Sequence, residues 1–194
     1  MGSGGLPEGD PMDPVFETER MWLRHVTEAD AATLFDLDQD PEVMRYIGRV
    51  TFPLAAYLER IRTVYLPQYD QNPRRGLFLA VEKATGAFLG WFLFRPATGH
   101  KFAPVIGWTD DAEVEIGYRL RRAAWGRGLA TEGAAVLMAD GLADPAVPRV
   151  VACALVTNGA SCRVLEKVGL TRVRTTTIPD FDDPLVVFES GKHG

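Results

Sequence analysis

The chain has 194 residues, 46% of them hydrophobic, which suits one full-sized core and leaves too little length for two independent domains. Its net charge of −5 argues against a general nucleic-acid binder, which would carry a basic footprint, and is compatible with cationic substrates such as amines. No apolar run nears the roughly 20 residues of a membrane span, and the first ten residues form no signal peptide, so a cytoplasmic protein is expected.

In chain order, residues 1–14 are expected to be a disordered lead, with a single domain over 15–194. Met21 to Val26 alternates apolar and polar residues as a strand does. Thr27-Glu28-Ala29-Asp30 then reads as a helix start with carboxylates in its first turn. Asp40-Pro41-Glu42 opens a short helix with Pro at its first position. Pro53 opens a third, in which Leu54, Tyr57, Leu58, Ile61, Val64 and Tyr65 recur at steps of three and four. Leu77–Glu82 and Phe88–Phe94 form a hairpin through Lys83-Ala84-Thr85-Gly86. A polar loop runs from Pro96 to Asp111. Glu113–Leu120 is a strand, Leu129–Leu142 a helix, Arg149–Leu155 a strand, and Asn158–Val168 a helix that Gly169 ends in the left-handed conformation. Two strands, Leu170–Ile178 and Leu185–Ser190, finish the chain. Hairpins at both ends with strand–helix–strand crossovers between them give a mixed α/β fold, in which a sheet packs on helices.

Two stretches carry chemistry. The first is Trp125-Gly126-Arg127-Gly128-Leu129-Ala130-Thr131-Glu132, a glycine turn between a strand and a helix. Backbone N–H groups converge there with the positive end of the helix dipole, which suits a phosphate or pyrophosphate. Turn geometry alone would also explain the glycines. The second is Asn158-Gly159-Ala160-Ser161, where Asn158 is a natural helix N-cap. The cysteines, Cys153 and Cys162, and the histidines, His25, His100 and His193, form no zinc pattern, so reduced thiols and no metal are expected.

Together the two stretches, in this order, resemble the GCN5-related N-acetyltransferase (GNAT) superfamily. The resemblance is greatest to its ribosomal-protein alanine acetyltransferase (RimJ/RimL-like) branch. Thr18–Arg24, Asp40–Met44, Glu115-Ile116-Gly117-Tyr118 and Glu166–Leu170 also match that branch, so the likeness covers about Phe16 to Glu189. Trp125 stands where many relatives carry Gln or Arg, as is usual in the branch. Leu165 stands where many carry a Tyr that assists the departing sulfur. The resemblance implies a mostly antiparallel sheet of about seven strands flanked by helices. It implies acetyl-CoA as co-substrate and a primary amine, on a protein N-terminus or a small molecule, as acceptor.

By the same resemblance the coenzyme pyrophosphate would rest on the amides of Arg127, Gly128, Leu129, Ala130 and Thr131. Asn158, Ser161 and Arg163 would line the coenzyme side. A backbone N–H at Gly117 or Tyr118 would steady the thioester oxygen. Glu115 stands where relatives place a general base, and Ser161, one turn before Leu165, would direct its hydroxyl at the thiolate. For both, a purely structural role is the competing reading: a strand-edge carboxylate, and a small residue in a first helical turn. Arg163 and Lys167, four apart, could meet the ribose phosphate, but a solvated helical face is the preferred reading for both. An acceptor pocket is expected between the early helices, the Pro96–Asp111 loop and the last hairpin, with Trp108, Asp110, Asp111, Asp180, Asp182 and Asp183 drawing an ammonium group. A coenzyme-binding module without catalysis is the alternative. A dinucleotide oxidoreductase is disfavoured, because Thr131 occupies the third glycine position of that fingerprint. Monomer and homodimer both fit.

Overall fold

The computed structural model describes residues 13–48, 52–179 and 181–191. The first twelve residues of the expected lead, together with Asp180 and His193, lie outside them. Fifteen strands and helices and a π-helical turn follow in order. β1 (Pro14–Glu17) and β2 (Met21–His25) come first, then α1 (Ala31–Asp38), α2 (Pro41–Met44), α3 (Leu54–Arg60) and α4 (Leu66–Gln71). β3 (Gly76–Glu82), β4 (Phe88–Pro96), α5 (Ala103–Ile106) and β5 (Val114–Leu120) lead to the crossover helix α6 (Leu129–Ala143). β6 (Val150–Leu155), α7 (Gly159–Lys167), β7 (Thr171–Thr176) and β8 (Leu185–Glu189) complete the chain. One sheet of eight strands contains them all, in the order β1-β2-β3-β4-β5-β6-β8-β7. The strand beyond the expected seven is β1, so the sheet already begins at Pro14, the last residue assigned to the lead.

Local signals account for much of this. Asp30 accepts the N–H and the hydroxyl of Thr27 (2.8 and 2.9 Å) and takes Arg24 in a buried ion pair, which fixes the start of α1 against β2. Asp40 caps α2 by accepting from the N–H of Glu42 at 3.0 Å, with Pro41 in the first turn. The third predicted helix runs through a π-helical turn, Ile61–Tyr65, into α4. Gly169 adopts φ +94° and the N–H of Leu170 reaches the carbonyl of Leu165, so α7 ends in the left-handed turn its sequence announces.

The sheet separates two packed layers. On one face Phe78, Phe92, Phe94, Ile116, Val150, Ala152 and Phe188 meet Leu129, Ala134 and Leu137 of α6 and Cys162 and Leu165 of α7. On the other, Leu77, Leu79 and Leu93 meet Val26, Ala31, Leu34 and Ile61, while Val151, Leu155 and Val187 meet Ala103, Ile106 and Trp108. α6 lies very close to the sheet because glycine faces it twice. A Cβ on Gly133 would sit 2.2 Å from the Phe92 ring, and one on Gly141 would sit 2.6 Å from Val150.

Candidate active site

Every neighbouring pair in the sheet is antiparallel except β5 and β6. These two are parallel and joined by α6. They are paired only at Val114–Val150 and Glu115–Val151. Beyond Glu115, β5 stays with β4 as far as Leu120, while β6 stays with β8 as far as Leu155. The strands therefore part, and the inner edges at Ile116–Leu120 and Ala152–Leu155 form the two arms of a wedge. Backbone groups on such arms keep hydrogen-bonding capacity for an extended ligand.

At the open end stand the N-termini of α6 and α7, and they differ. α7 is capped by its own sequence, since Asn158 accepts from the N–H of Ser161 at 3.2 Å. α6 has Gly128 at its N-cap in a left-handed conformation (φ +78°), with no capping side chain; Gly126 is also left-handed (φ +71°). The first turn of a helix offers N–H groups without intrahelical partners, so Leu129, Ala130 and Thr131 present theirs to whatever occupies the mouth. The glycine turn is braced from outside. Arg20 pairs with Glu132 in the first turn (2.6 Å) and donates to the carbonyl of Arg127 at 2.9 Å. Arg127 is itself ion-paired with Glu82 at the end of β3. Leu129 is fully buried and pins the turn to the core, Ala130 packs against the same cluster, and Arg163 and Lys167 lie exposed on α7.

Tyr118 crosses the wedge. Its hydroxyl lies 2.9 Å from Ser161 Oγ and donates to the Ser161 carbonyl at 3.1 Å, tying β5 to α7. Burial pushes the Tyr118 hydroxyl up to about 12, although the Ser161 contact opposes this, so it stays protonated through the neutral range. Sequence reading gave Tyr118 only a backbone role.

On the opposite face of the sheet, at the apex of the wedge, lies a polar cluster. Glu115 is only 5% exposed and faces Arg95 directly across from it on β4, with Arg95 Nε 3.0 Å from Oε2. Burial raises the pKa of Glu115 and Arg95 works against that rise. His100 Nε2 lies 3.8 Å from Glu115 Oε1 and 3.6 Å from Cys153 Sγ on the other arm. The second ring nitrogen of His100, Nδ1, accepts from the N–H of Phe102 at 3.1 Å, so Nε2 carries the proton. Because that nitrogen is already protonated, His100 cannot serve Cys153 as a base, and the three side chains are not a thiol relay. Burial also raises the Cys153 thiol far above its ordinary range, with the Glu115 charge adding to the effect. Glu113, on the same face of β5, is taken up by Arg149. Among the described residues no group of His, Cys, Asp and Glu side chains is arranged to hold a metal ion.

A groove of about 470 Å³ opens on this second face between the segment after α2 and the β7–β8 connection. Arg45, Tyr46, Leu155, Thr157, Phe181, Asp182 and Asp183 line it. Asp183 accepts from the Thr157 hydroxyl at 2.8 Å, and Asp182 is exposed. Three residues expected in the acceptor pocket are placed elsewhere. Trp108 is 2% exposed and belongs to the core under β6, Asp110 caps the N–H of Ala112, and Asp111 takes the Thr98 hydroxyl. An aromatic residue in a loop sequence reads as a pocket wall, but burying that much apolar surface favoured the core. A larger cavity of about 600 Å³ lies at the far end of α6, lined by Leu142, Pro145, Val147, Pro148 and Arg149, away from the wedge.

A parting parallel strand pair with an uncapped helix N-terminus at its mouth suits an extended ligand that carries a phosphate. Known proteins supply the family. Residues 20–171 match the acetyltransferase (GNAT) domain, and the chain belongs to that family. It is 30% identical to the uncharacterized protein YkkB of Bacillus subtilis over 89% of its length and 92% of the relative's. It is 28% identical to FsC-acetyl coenzyme A-N(2)-transacetylase of Aspergillus fumigatus over 92% of its length and 74% of the relative's. Among solved structures it is similar to aminoglycoside acetyltransferase AAC(6')-Ib in complex with coenzyme A and kanamycin. That match has a TM-score of 0.66 and 25% identity, and it covers 89% of this chain and 95% of the other. The protein is an acetyl-CoA-dependent N-acetyltransferase.

Proposed function

We propose that the protein transfers the acetyl group of acetyl-CoA directly to a primary amine, through a ternary complex formed in the β5–β6 wedge. The observation that carries this reading is the parting of the strands after Glu115 onto the uncapped N-terminus of α6. Pyrophosphate is held by the amides of Arg127 to Thr131, with Gly128 allowing close approach. Asn158, Ser161 and Arg163 flank the coenzyme from α7. The thioester enters between the arms, where the N–H of Gly117 or Tyr118 meets its oxygen as charge develops.

The two faces of the sheet then take different tasks. Glu115, on the acceptor face, receives the proton the ammonium group must lose before it attacks. Ser161, on the coenzyme face, donates a hydrogen bond to the departing thiolate with Tyr118 behind it. The acceptor reaches the apex from the groove lined by Tyr46, Phe181, Asp182 and Asp183, whose carboxylates favour a cationic amine. Two relatives support an amine acceptor. AAC(6')-Ib is an aminoglycoside acetyltransferase solved with kanamycin, and the Aspergillus enzyme is named for transfer to an N(2) position. Within amine acceptors the resemblance to the RimJ/RimL-like branch supports a protein N-terminus, and the likeness to an aminoglycoside acetyltransferase supports a small amine. Both walls of the wedge come from one chain, so one copy suffices whether the protein is a monomer or a homodimer.

The test is calorimetric titration with acetyl-CoA, of the native protein and of Gly128→Val. Micromolar binding corresponds to about −8 kcal/mol. It is expected in the native protein and lost in the variant. A native protein that fails to bind acetyl-CoA refutes the assignment of the wedge.

A further inference from the structure

Glu115 occupies the last paired row between β5 and β6, and Cys153 stands two residues beyond its partner Val151 on the other arm. His100 bridges the two from the loop after β4. Its proton is fixed on Nε2 by the Phe102 N–H at Nδ1. Its ring stands edge-on to Trp108 at 5.3 Å, which limits how far it can turn. Among the described residues, the titratable and charged groups that face Glu115 are Arg95 from β4, His100 from the loop and Cys153 from β6. Arg95 takes Oε2 and leaves Oε1 to His100. A hydrogen bond from Nε2–H to Oε1 needs a closure of about 0.8 Å. A charged carboxylate attracts that N–H more strongly than the Cys153 sulfur does.

We infer that His100 is a positioning residue for the proton-accepting carboxylate: its Nε2–H holds Oε1 of Glu115 toward the incoming ammonium group. The inference rests on the proposed role of Glu115 as base. Arg95 already holds Oε2, and once Nε2 has closed on Oε1 both oxygens are fixed and the carboxylate cannot rotate away from the apex when the strands accept the thioester. Because the imidazole is neutral, it donates without adding a second positive charge beside the ammonium it helps to receive. When the proton moves from the amine nitrogen to Oε1, the Nε2–H loses its charged acceptor and is free to turn back to Cys153 Sγ.

Two measurements test this together. One is the carbon-13 titration of the Glu115 side-chain carboxyl, assigned by its absence in E115Q. The other is the pH profile of kcat with acetyl-CoA and whichever of spermidine, kanamycin or an alanine-terminated peptide turns over. H100F fills the space against Trp108 without an N–H, whereas H100Q keeps one. In H100F the Glu115 midpoint and the acid limb of kcat are both expected to rise by about one pH unit, because the ionised form loses a donor. In H100Q both stay near the native values, and acetyl-CoA binding is unchanged in either variant. A Glu115 midpoint that does not move in H100F overturns the inference, and so does an acid limb that stays in place while the midpoint moves. If E115Q keeps the native acid limb, Glu115 is not the base and the inference falls with that role. The two failures are distinct, because an acid limb that E115Q abolishes and H100F leaves in place refutes only the role of His100.

Discussion

Replacing Gly133 with alanine tests how closely α6 is seated, and with it the position of the coenzyme-binding turn. The new Cβ would lie 2.2, 2.5 and 2.7 Å from three carbons of the Phe92 ring. Ordinary carbon contacts are about 3.5–4.0 Å, so ring and helix must separate by about 1.5 Å. Phe92 has nowhere to go. It is fully buried, and Tyr118 lies against it at 6.0 Å between ring centroids. Overpacking of a rigid core costs up to about 3 kcal/mol, and alanine regains about 1 kcal/mol over glycine in a helix, so a net loss of about 2 kcal/mol is expected. Urea denaturation with the slope held common to both proteins measures it. Gly133 lies one turn from Leu129, so the same displacement should weaken acetyl-CoA binding by calorimetry. Phe92→Leu should make G133A less costly than it is in the native background, since the two changes share one contact. A G133A protein as stable as the native one would refute the packing distance and the argument that glycine is required there.

Ser161→Ala should lower kcat about 100-fold if its hydroxyl assists the departing thiolate, with little change in acetyl-CoA affinity. Tyr118→Phe should cost about 1 kcal/mol of stability through the lost β5–α7 link, and equal turnover in both variants and the native enzyme would remove the pair from the mechanism. Replacing Asp182 and Asp183 together with Asn should raise the KM for a cationic amine and leave that for acetyl-CoA unchanged; an unchanged amine KM would take the groove out of the acceptor path. Burial, with Arg95 adding to it, lowers His100 from 6.5 to about 4. The unfolded chain therefore takes up this proton first, and stability falls as pH drops from about 6.5 through about 4, by about 3 kcal/mol in full. H100Q should lack that part of the acid loss, and parallel denaturation midpoints at pH 7 and pH 4 would expose a wrong assignment.

The order of elements was legible from the chain because its signals are local. Thr27 with Asp30, Asp40 with Pro41, Asn158 with the N–H of Ser161, and Gly169 after α7 all act within one helical turn, so spacing alone specifies them. Gly126-Arg127-Gly128 before an apolar helix was legible for the same reason. β1 was not, since four residues next to a proline-containing lead carry too short a pattern to declare a strand. What only the tertiary structure decided depends on register and on the parting of β5 from β6. Arg95 meets Glu115 because twenty residues of chain fold back in one particular alignment, and a slip of one residue would turn Arg95 to the other face. Tyr118 reaches Ser161 only because the strands open beside α7, and His100 reaches the apex only through a loop with no periodicity to read. Trp108 went to the core for the opposite reason: apolar area gains most where the completed fold excludes water, and no stretch of sequence shows where that will be.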